Sequence, residues 1–244
     1  MRFRAMFEKV LEAVGRTSLG EKMIRFCLWG KDRWFVPWIA KKFHRHFYNH
    51  KLWRIEWLGV PCFQNPLDVW IKQEIIFETR PDFIVEAGTS CGGSALLYAS
   101  LLETLGHGKV LTMDVRPNLH EALQYKVFKD RVRIFQGDST SPELFSQIAQ
   151  EVHGSRVLVF LDSDHSKGHV LKELRLYADL VSVGSYLVVE DTNVNGHPVV
   201  HNFGEGPFEA VQAFLAEDDR FQVDKNKERF LFTFNPSGYL KRIK

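Results

Sequence analysis

From residue 83 onward the chain alternates two hydrophobic patterns. Phe83–Ala87, Lys109–Val115, Arg131–Gln136, Val157–Leu161 and Tyr186–Val189 are short and mostly apolar, as strands covered on both faces are. Between them lie segments with helical spacing. Ser94–Leu105 places Leu97, Leu101 and Leu105 on one face. A second helix is expected to open at Pro117, and a third at Ser141, with Ser as cap and Pro142 in the first turn. Val170–Leu180 and Pro207–Ala216 complete the set. Phe221–Val223 and Arg229–Phe234 alternate as an antiparallel pair would. Strand and helix in alternation predict parallel strands joined by crossover helices. The expected fold is an α/β, doubly wound, mostly parallel seven-stranded sheet with a C-terminal antiparallel hairpin.

Composition narrows the class. The chain has 244 residues, 45% hydrophobic and 25% charged, values that exclude a disordered or collagen-like chain. Cys27, Cys62 and Cys91 match no zinc spacing, and a cytoplasmic location is expected. No run reaches the length of a membrane span, since Trp34–Ala40 is short and broken by Pro37. The net charge of +2 is unevenly spread, with +8 over residues 1–56 and −6 over the rest. All six tryptophans precede residue 71. Residues 1–60 are therefore expected to form a basic, aromatic-rich extension and residues 61–244 the main domain. Phe7, Val10, Leu11 and Val14 mark an apolar helical face within the extension. A packed helix, a lid, a subunit contact and a peripheral membrane-surface contact are all open to it. A homo-oligomer is expected, and nucleic acid is not expected as a partner, because the main domain is acidic.

Ligands of doubly wound sheets bind beyond the carboxyl ends of the strands. After the first strand comes Glu86-Ala-Gly-Thr-Ser-Cys-Gly-Gly-Ser94, whose Gly88, Gly92 and Gly93 permit a tight turn and a close ligand. Its spacing is not the dinucleotide fingerprint G-x-G-x-x-G. After the second strand stands Asp114, suited to a ribose diol, and after the third Gly137-Asp138-Ser139, suited to an adenine amino group. After the fourth comes Asp162-Ser-Asp-His-Ser-Lys167, and after the fifth Glu190-Asp191. Asp164 precedes Glu190 and Asp191 by 26 and 27 residues, a gap that suits one helix and two turns. Three converging carboxylates call for a cation, and hard oxygen ligands select Mg²⁺ or a similar divalent ion. Asp162 is a rival to Asp164 as ligand. Lys167 is a candidate base; His165 is a base, a supporting hydrogen-bond partner or a core residue; His169 supports the loop. His44, His46 and His50 look like a solvated basic stretch rather than a metal cluster.

With these motifs the sequence resembles the S-adenosylmethionine-dependent methyltransferases. More narrowly, Trp57-Leu-Gly-Val-Pro61 and Pro66-Leu-Asp-Val-Trp-Ile-Lys-Gln-Glu-Ile-Ile-Phe-Glu-Thr-Arg-Pro-Asp82 resemble the cephalosporin hydroxylase and rhamnosyl O-methyltransferase family. The resemblance implies a Rossmann-like methyltransferase fold. It implies S-adenosylmethionine in the loop formed by Glu86, Gly88, Thr89, Ser90, Gly92 and Ser94, with Asp114 on its ribose, Gly137 and Asp138 at its adenine, and Asp162 nearby. It implies Mg²⁺ on Asp164, Glu190 and Asp191, with Lys167 as base, as in the similar Asp-His-x-Lys run of catechol-type enzymes. The expected activity is metal-assisted O-methylation of a small hydroxylated acceptor, a vicinal diol on a sugar or natural product. An Fe(II) hydroxylase and a non-catalytic cofactor-binding module are the competing readings. The chain contains no His-x-Asp or His-x-Glu, which disfavours the former.

Overall fold

The computed structural model describes residues 31–244. Met1–Phe43 and His44–Lys244 are two compact units. In the first, a π-helical turn at Lys31–Phe35 leads into helix α1, Val36–Asn49, where Phe35 stacks on Trp38 and Lys42 lies over the Trp38 ring. The expected helical face around Phe7 and Val14 lies outside the described residues, as does the first half of the basic extension. Among the described residues no helix is long and apolar enough to cross a membrane.

The second unit opens with a hairpin, β1 Arg54–Trp57 and β2 Val60–Phe63. Helix α2, Pro66–Thr79, follows, with Asn65 accepting the Leu67 N–H and Pro66 in its first turn. Five parallel strands come next: β3 Phe83–Ala87, β4 Lys109–Asp114, β5 Val132–Gln136, β6 Val157–Leu161 and β7 Tyr186–Val189. The helices between and after them are α3 Gly93–Leu105, α4 Lys126–Arg131, α5 Pro142–Val152, α6 Lys167–Tyr177 and α7 Pro207–Glu217. Two antiparallel strands, β8 Phe221–Val223 and β9 Tyr239–Arg242, complete a seven-stranded sheet in the order β5-β4-β3-β6-β7-β9-β8. The doubly wound, mostly parallel α/β sheet expected from the pattern is what forms.

Both faces of the sheet are covered, which is why β6, Val-Leu-Val-Phe-Leu, is apolar at every position and buried throughout. Val85, Leu111, Val159 and Leu187 pack with Ile148, Leu174 and Val211 on one face. Ile84, Val110, Leu158 and Val188 pack with Ile75, Leu96, Phe128 and Val60 on the other.

Two expected elements are corrected. Pro117 opens no helix; a short 3₁₀ turn at Ala122–Gln124 and then α4 follow it. Arg229–Phe234 is not a strand, and the partner of Phe221–Val223 is Tyr239–Arg242. The alternation at 229–234 has another cause. Phe232 and Phe234 are buried beside His44, with Phe232 edge-on at 4.7 Å and Phe234 stacked at 5.4 Å between ring centres.

The chain runs β3, β4, β5 outward on one side of the sheet and β6, β7 on the other. Order therefore reverses between β3 and β6, and a crevice opens beyond their carboxyl ends, at Gly88 and Asp162.

Candidate active site

The crevice is a cleft of about 790 Å³ within the second unit. One wall is made by the loops after β3, β4 and β5: Gly88, Thr89, Ser90, Ser94, Asp114, Gly137 and Asp138 all line it. Gly88 has φ +98°, and a Cβ there would sit 1.9 Å from the Asp162 carbonyl oxygen. Glycine is thus required both by the backbone and by the close approach of the two loops. Asp114 accepts the Ser90 N–H through Oδ2 and the Arg116 N–H through Oδ1, both at 2.8 Å, which sets its carboxylate at the rim of the cleft. Asp138 accepts the Thr140 N–H and hydroxyl at 2.8 Å each, and these bonds hold its carboxyl below the usual range.

Glu86 and Gly92 lie behind this wall. Gly92 faces Leu119, Ala122 and Phe128. Glu86 is buried on β3 and accepts the Thr112 hydroxyl at 2.6 Å, and Thr112 in turn meets Thr89 at 2.7 Å. Burial pushes Glu86 up to about 7, against the hydrogen bonds from Ser94 and Thr112. Glu86 stiffens the loop rather than facing the cleft.

The opposite wall comes from the loops after β6 and β7. Asp162, His165 and Asp191 offer one ligand atom each within 4.8 Å of one another. His165 Nε2 lies 3.4 Å from Asp162 Oδ1 and 3.5 Å from Asp191 Oδ2. Burial would lower the imidazole, but the hydrogen bond to Asp162 and the charges of Asp191, Asp162 and Asp164 prevail and raise it to about 9. Burial pushes Asp191 up to about 6, with His165 pulling it down and Asp162 raising it further.

Of the expected trio Asp164, Glu190 and Asp191, the structure does not bring all three carboxylates together. Past the end of β7, Glu190 turns to the face covered by α2, whereas the left-handed backbone of Asp191 (φ +53°) turns its side chain into the cleft. There Lys72 Nζ lies 2.7 Å from Glu190 Oε1, both side chains being almost fully buried. Glu190 and Asp162 keep the Lys72 ammonium charged against its burial. Asp164 lines the cleft, but its Oδ1 accepts the Ser166 N–H at 2.8 Å, next to the start of α6. Lys167 does not line the cleft; its Nζ is paired with Glu205 at 2.9 Å. His169 supports the loops, meeting Ser139 Oγ at 3.1 Å and Glu173 at 3.4 Å. His50 Nδ1 meets the His46 carbonyl, and His44 is buried against Asn193, so the three histidines form no metal cluster.

Several lining residues have no motif to betray them. Tyr48, Trp53, Phe63 and Phe234 give the cleft an aromatic wall, with Trp53 and Phe63 edge to face at 6.0 Å. Only their place in the aromatic-rich stretch or in the alternating 229–234 run hinted at them. Lys72 carries a clearer signal, a lone cation among Ile71, Ile75 and Ile76 on the buried face of a helix.

Comparison with known proteins adds a family. The model of the family described as Rhamnosyl O-methyltransferase/CmcI matches residues 49–243. The rhamnosyl O-methyltransferase of Mycobacterium tuberculosis (strain H37Rv) is 37% identical over 211 residues, covering 84% of this chain and 85% of that protein. That of Mycobacterium leprae is 36% identical over 211 residues, covering 84% and 90%. Among solved structures, CmcI with Mg-SAM aligns with a TM-score of 0.58 at 17% identity, over 78% of this chain and 77% of that one. A caffeoyl-CoA O-methyltransferase homologue from Staphylococcus aureus aligns with a TM-score of 0.54 at 16% identity, over 75% and 85%. These two likenesses show the fold.

Proposed function

The chain belongs to the rhamnosyl O-methyltransferase/CmcI family, and on that premise we propose that it methylates a hydroxyl of a saccharide with the help of a divalent cation. Family membership makes it an S-adenosylmethionine-dependent O-methyltransferase. The observation that carries the metal-assisted reading is the convergence of Asp162, His165 and Asp191 on the cleft, one loop away from Gly88.

The donor set suits the ion. Two carboxylates repel each other, and a divalent cation relieves that repulsion as the His165 proton otherwise does. Asp191 and Asp162 would hold it, with Asp164 at the rim; their oxygens suit Mg²⁺ or Mn²⁺. A cation there would lower the pKa of an acceptor hydroxyl and orient it. CmcI, a member of the family, has been seen with Mg-SAM.

The chain supplies the rest. The Gly88 loop, Asp114 and Asp138 orient the donor's nucleoside, so that attack is in line with its methyl group. His165 would serve as the base once a cation beside it displaces its proton and leaves the imidazole neutral. Lys167 reaches the cleft only by leaving Glu205. The aromatic wall of Tyr48, Trp53, Phe63 and Phe234 suits the apolar face of a sugar ring and excludes water. The relatives' rhamnosyl acceptors support a saccharide over a phenol.

The test is transfer of labelled methyl from S-adenosylmethionine to rhamnosides, with and without chelator, in wild type and Asp191→Ala. Turnover lost in the variant and in chelator, with S-adenosylhomocysteine binding intact, is the expected result. Full turnover in chelator would reject metal assistance. Oxygen consumption with Fe(II) and no methyl transfer would favour the hydroxylase.

A further inference from the structure

The residues after β7 carry the reaction-side carboxylate in an unusual backbone. Asp191 has φ +53°, in the left-handed region that non-glycine residues enter only when their surroundings enforce it. What enforces it is a turn distant in sequence. Each residue from Val189 to Asn193 is bonded to the segment 234–238. The Val189 N–H donates to the Gly238 carbonyl at 2.9 Å and the Asn193 N–H to the Phe234 carbonyl at 3.0 Å. The Thr192 hydroxyl donates to the Pro236 carbonyl at 2.7 Å.

The two central residues share one partner. Asn235 is fully buried. Its Oδ1 accepts the Asp191 N–H at 3.0 Å, and its Nδ2 donates to Glu190 Oε2 at 2.8 Å. Glu190 Oε1 is held from the other side by Lys72 at 2.7 Å. One amide thus fixes a strained peptide and a buried carboxylate that leave the strand in opposite directions. No shorter side chain spans both, and no apolar one satisfies either.

We propose that Asn235 is a positioning residue for the cation site, holding the left-handed Asp191 backbone so that its carboxylate faces the cleft, with the Lys72–Glu190 pair as its anchor. This rests on the metal-assisted reading above. It places a determinant of the site in a turn that touches neither donor nor acceptor.

Asn235→Leu tests it, with Mn²⁺ alone and S-adenosylhomocysteine alone as probes, followed by spin resonance and calorimetry. Losing a group that orients a metal ligand costs on the order of 10–100-fold in metal affinity. The expected result is that loss for Mn²⁺, a fall in kcat with the acceptor KM little changed, and S-adenosylhomocysteine affinity as in wild type. Asn235→Ser, which leaves room for water, is read in the same way should the leucine variant not fold. Wild-type Mn²⁺ affinity in a folded variant would overturn the proposal. So would equal losses of Mn²⁺ and S-adenosylhomocysteine affinity, the mark of a merely structural role. A wild-type protein that binds no Mn²⁺ would instead reject the metal-assisted reading itself.

Discussion

The two walls of the cleft are built in different ways. The wall after β3, β4 and β5 is local: its loops hold themselves through neighbours such as Ser90 on Asp114 and Thr140 on Asp138, with one glycine admitting the close contact. The wall after β6 and β7 is assembled from afar. Lys72 on α2, Asn235 in the last turn and His44 at the start of the second unit all reach into it or stand behind it. A wall held by short-range backbone donors needs shape alone. A wall that concentrates negative charge needs compensation, and compensation is recruited from wherever the chain can place a buried cation or amide.

That contrast can be broken most forcefully at Lys72. Lys72→Met leaves Glu190 buried without a counter-charge, a change expected to cost about 3–5 kcal/mol. Chemical denaturation checks the cost, and adding Glu190→Gln to the variant should recover much of it. Folded fractions of the single variant should still bind S-adenosylhomocysteine, since the local wall is intact.

A pH effect comes next. Burial lowers His44 to about 4, from 6.5 in a solvated chain, and the neutral ring accepts the Asn193 amide N–H at 2.9 Å. The group's folded pKa lies below its unfolded one. Its contribution is therefore complete above pH 6.5 and is lost as pH falls towards 4. At about 1.36 kcal/mol per pH unit this approaches 3 kcal/mol across the window. The difference in unfolding free energy between wild type and His44→Gln, followed from pH 7 to 4.5, should carry that slope, since Glu86 and Asp191 titrate in the same window with the opposite sign.

On the local wall, Gly88→Ala drives a Cβ into the Asp162 carbonyl and is expected to cost about 1–3 kcal/mol through overpacking alone. S-adenosylhomocysteine affinity should fall with it, and calorimetry reads both. The smallest effect is expected at Lys167, whose partner Glu205 is largely exposed. Lys167→Ala should change stability by no more than about 1 kcal/mol and leave kcat near wild type. A collapse of kcat there would return the proton-accepting role to the lysine.

The same contrast marks what was legible in the sequence. The five parallel strands, the Ser141–Pro142 cap and the residues that line the local wall follow from periodicity and from residues a few places apart, and these were readable. The opposing wall was readable as an acidic cluster but not as a geometry. Glu190 and Asp191 are neighbours in sequence, and only the left-handed backbone of Asp191 and a buried lysine 118 positions from Glu190 separate their roles. The 229–234 run deceived for a related reason: burial of Phe232 and Phe234, two places apart, in an aromatic cluster imitates the alternation of a strand. Pro117 opened no helix, because a proline tolerated in a first turn is equally at home in an extended loop.

The order of the sheet also ties its edge to the acidic loop. β9 lies between β7 and β8, although β8 is made first. β8 has no partner in the sheet other than β9, and β9 also covers the outer edge of β7. The turn leading into β9 is bonded to the residues that follow β7. The acidic loop is thereby shaped by the same segment that completes the sheet.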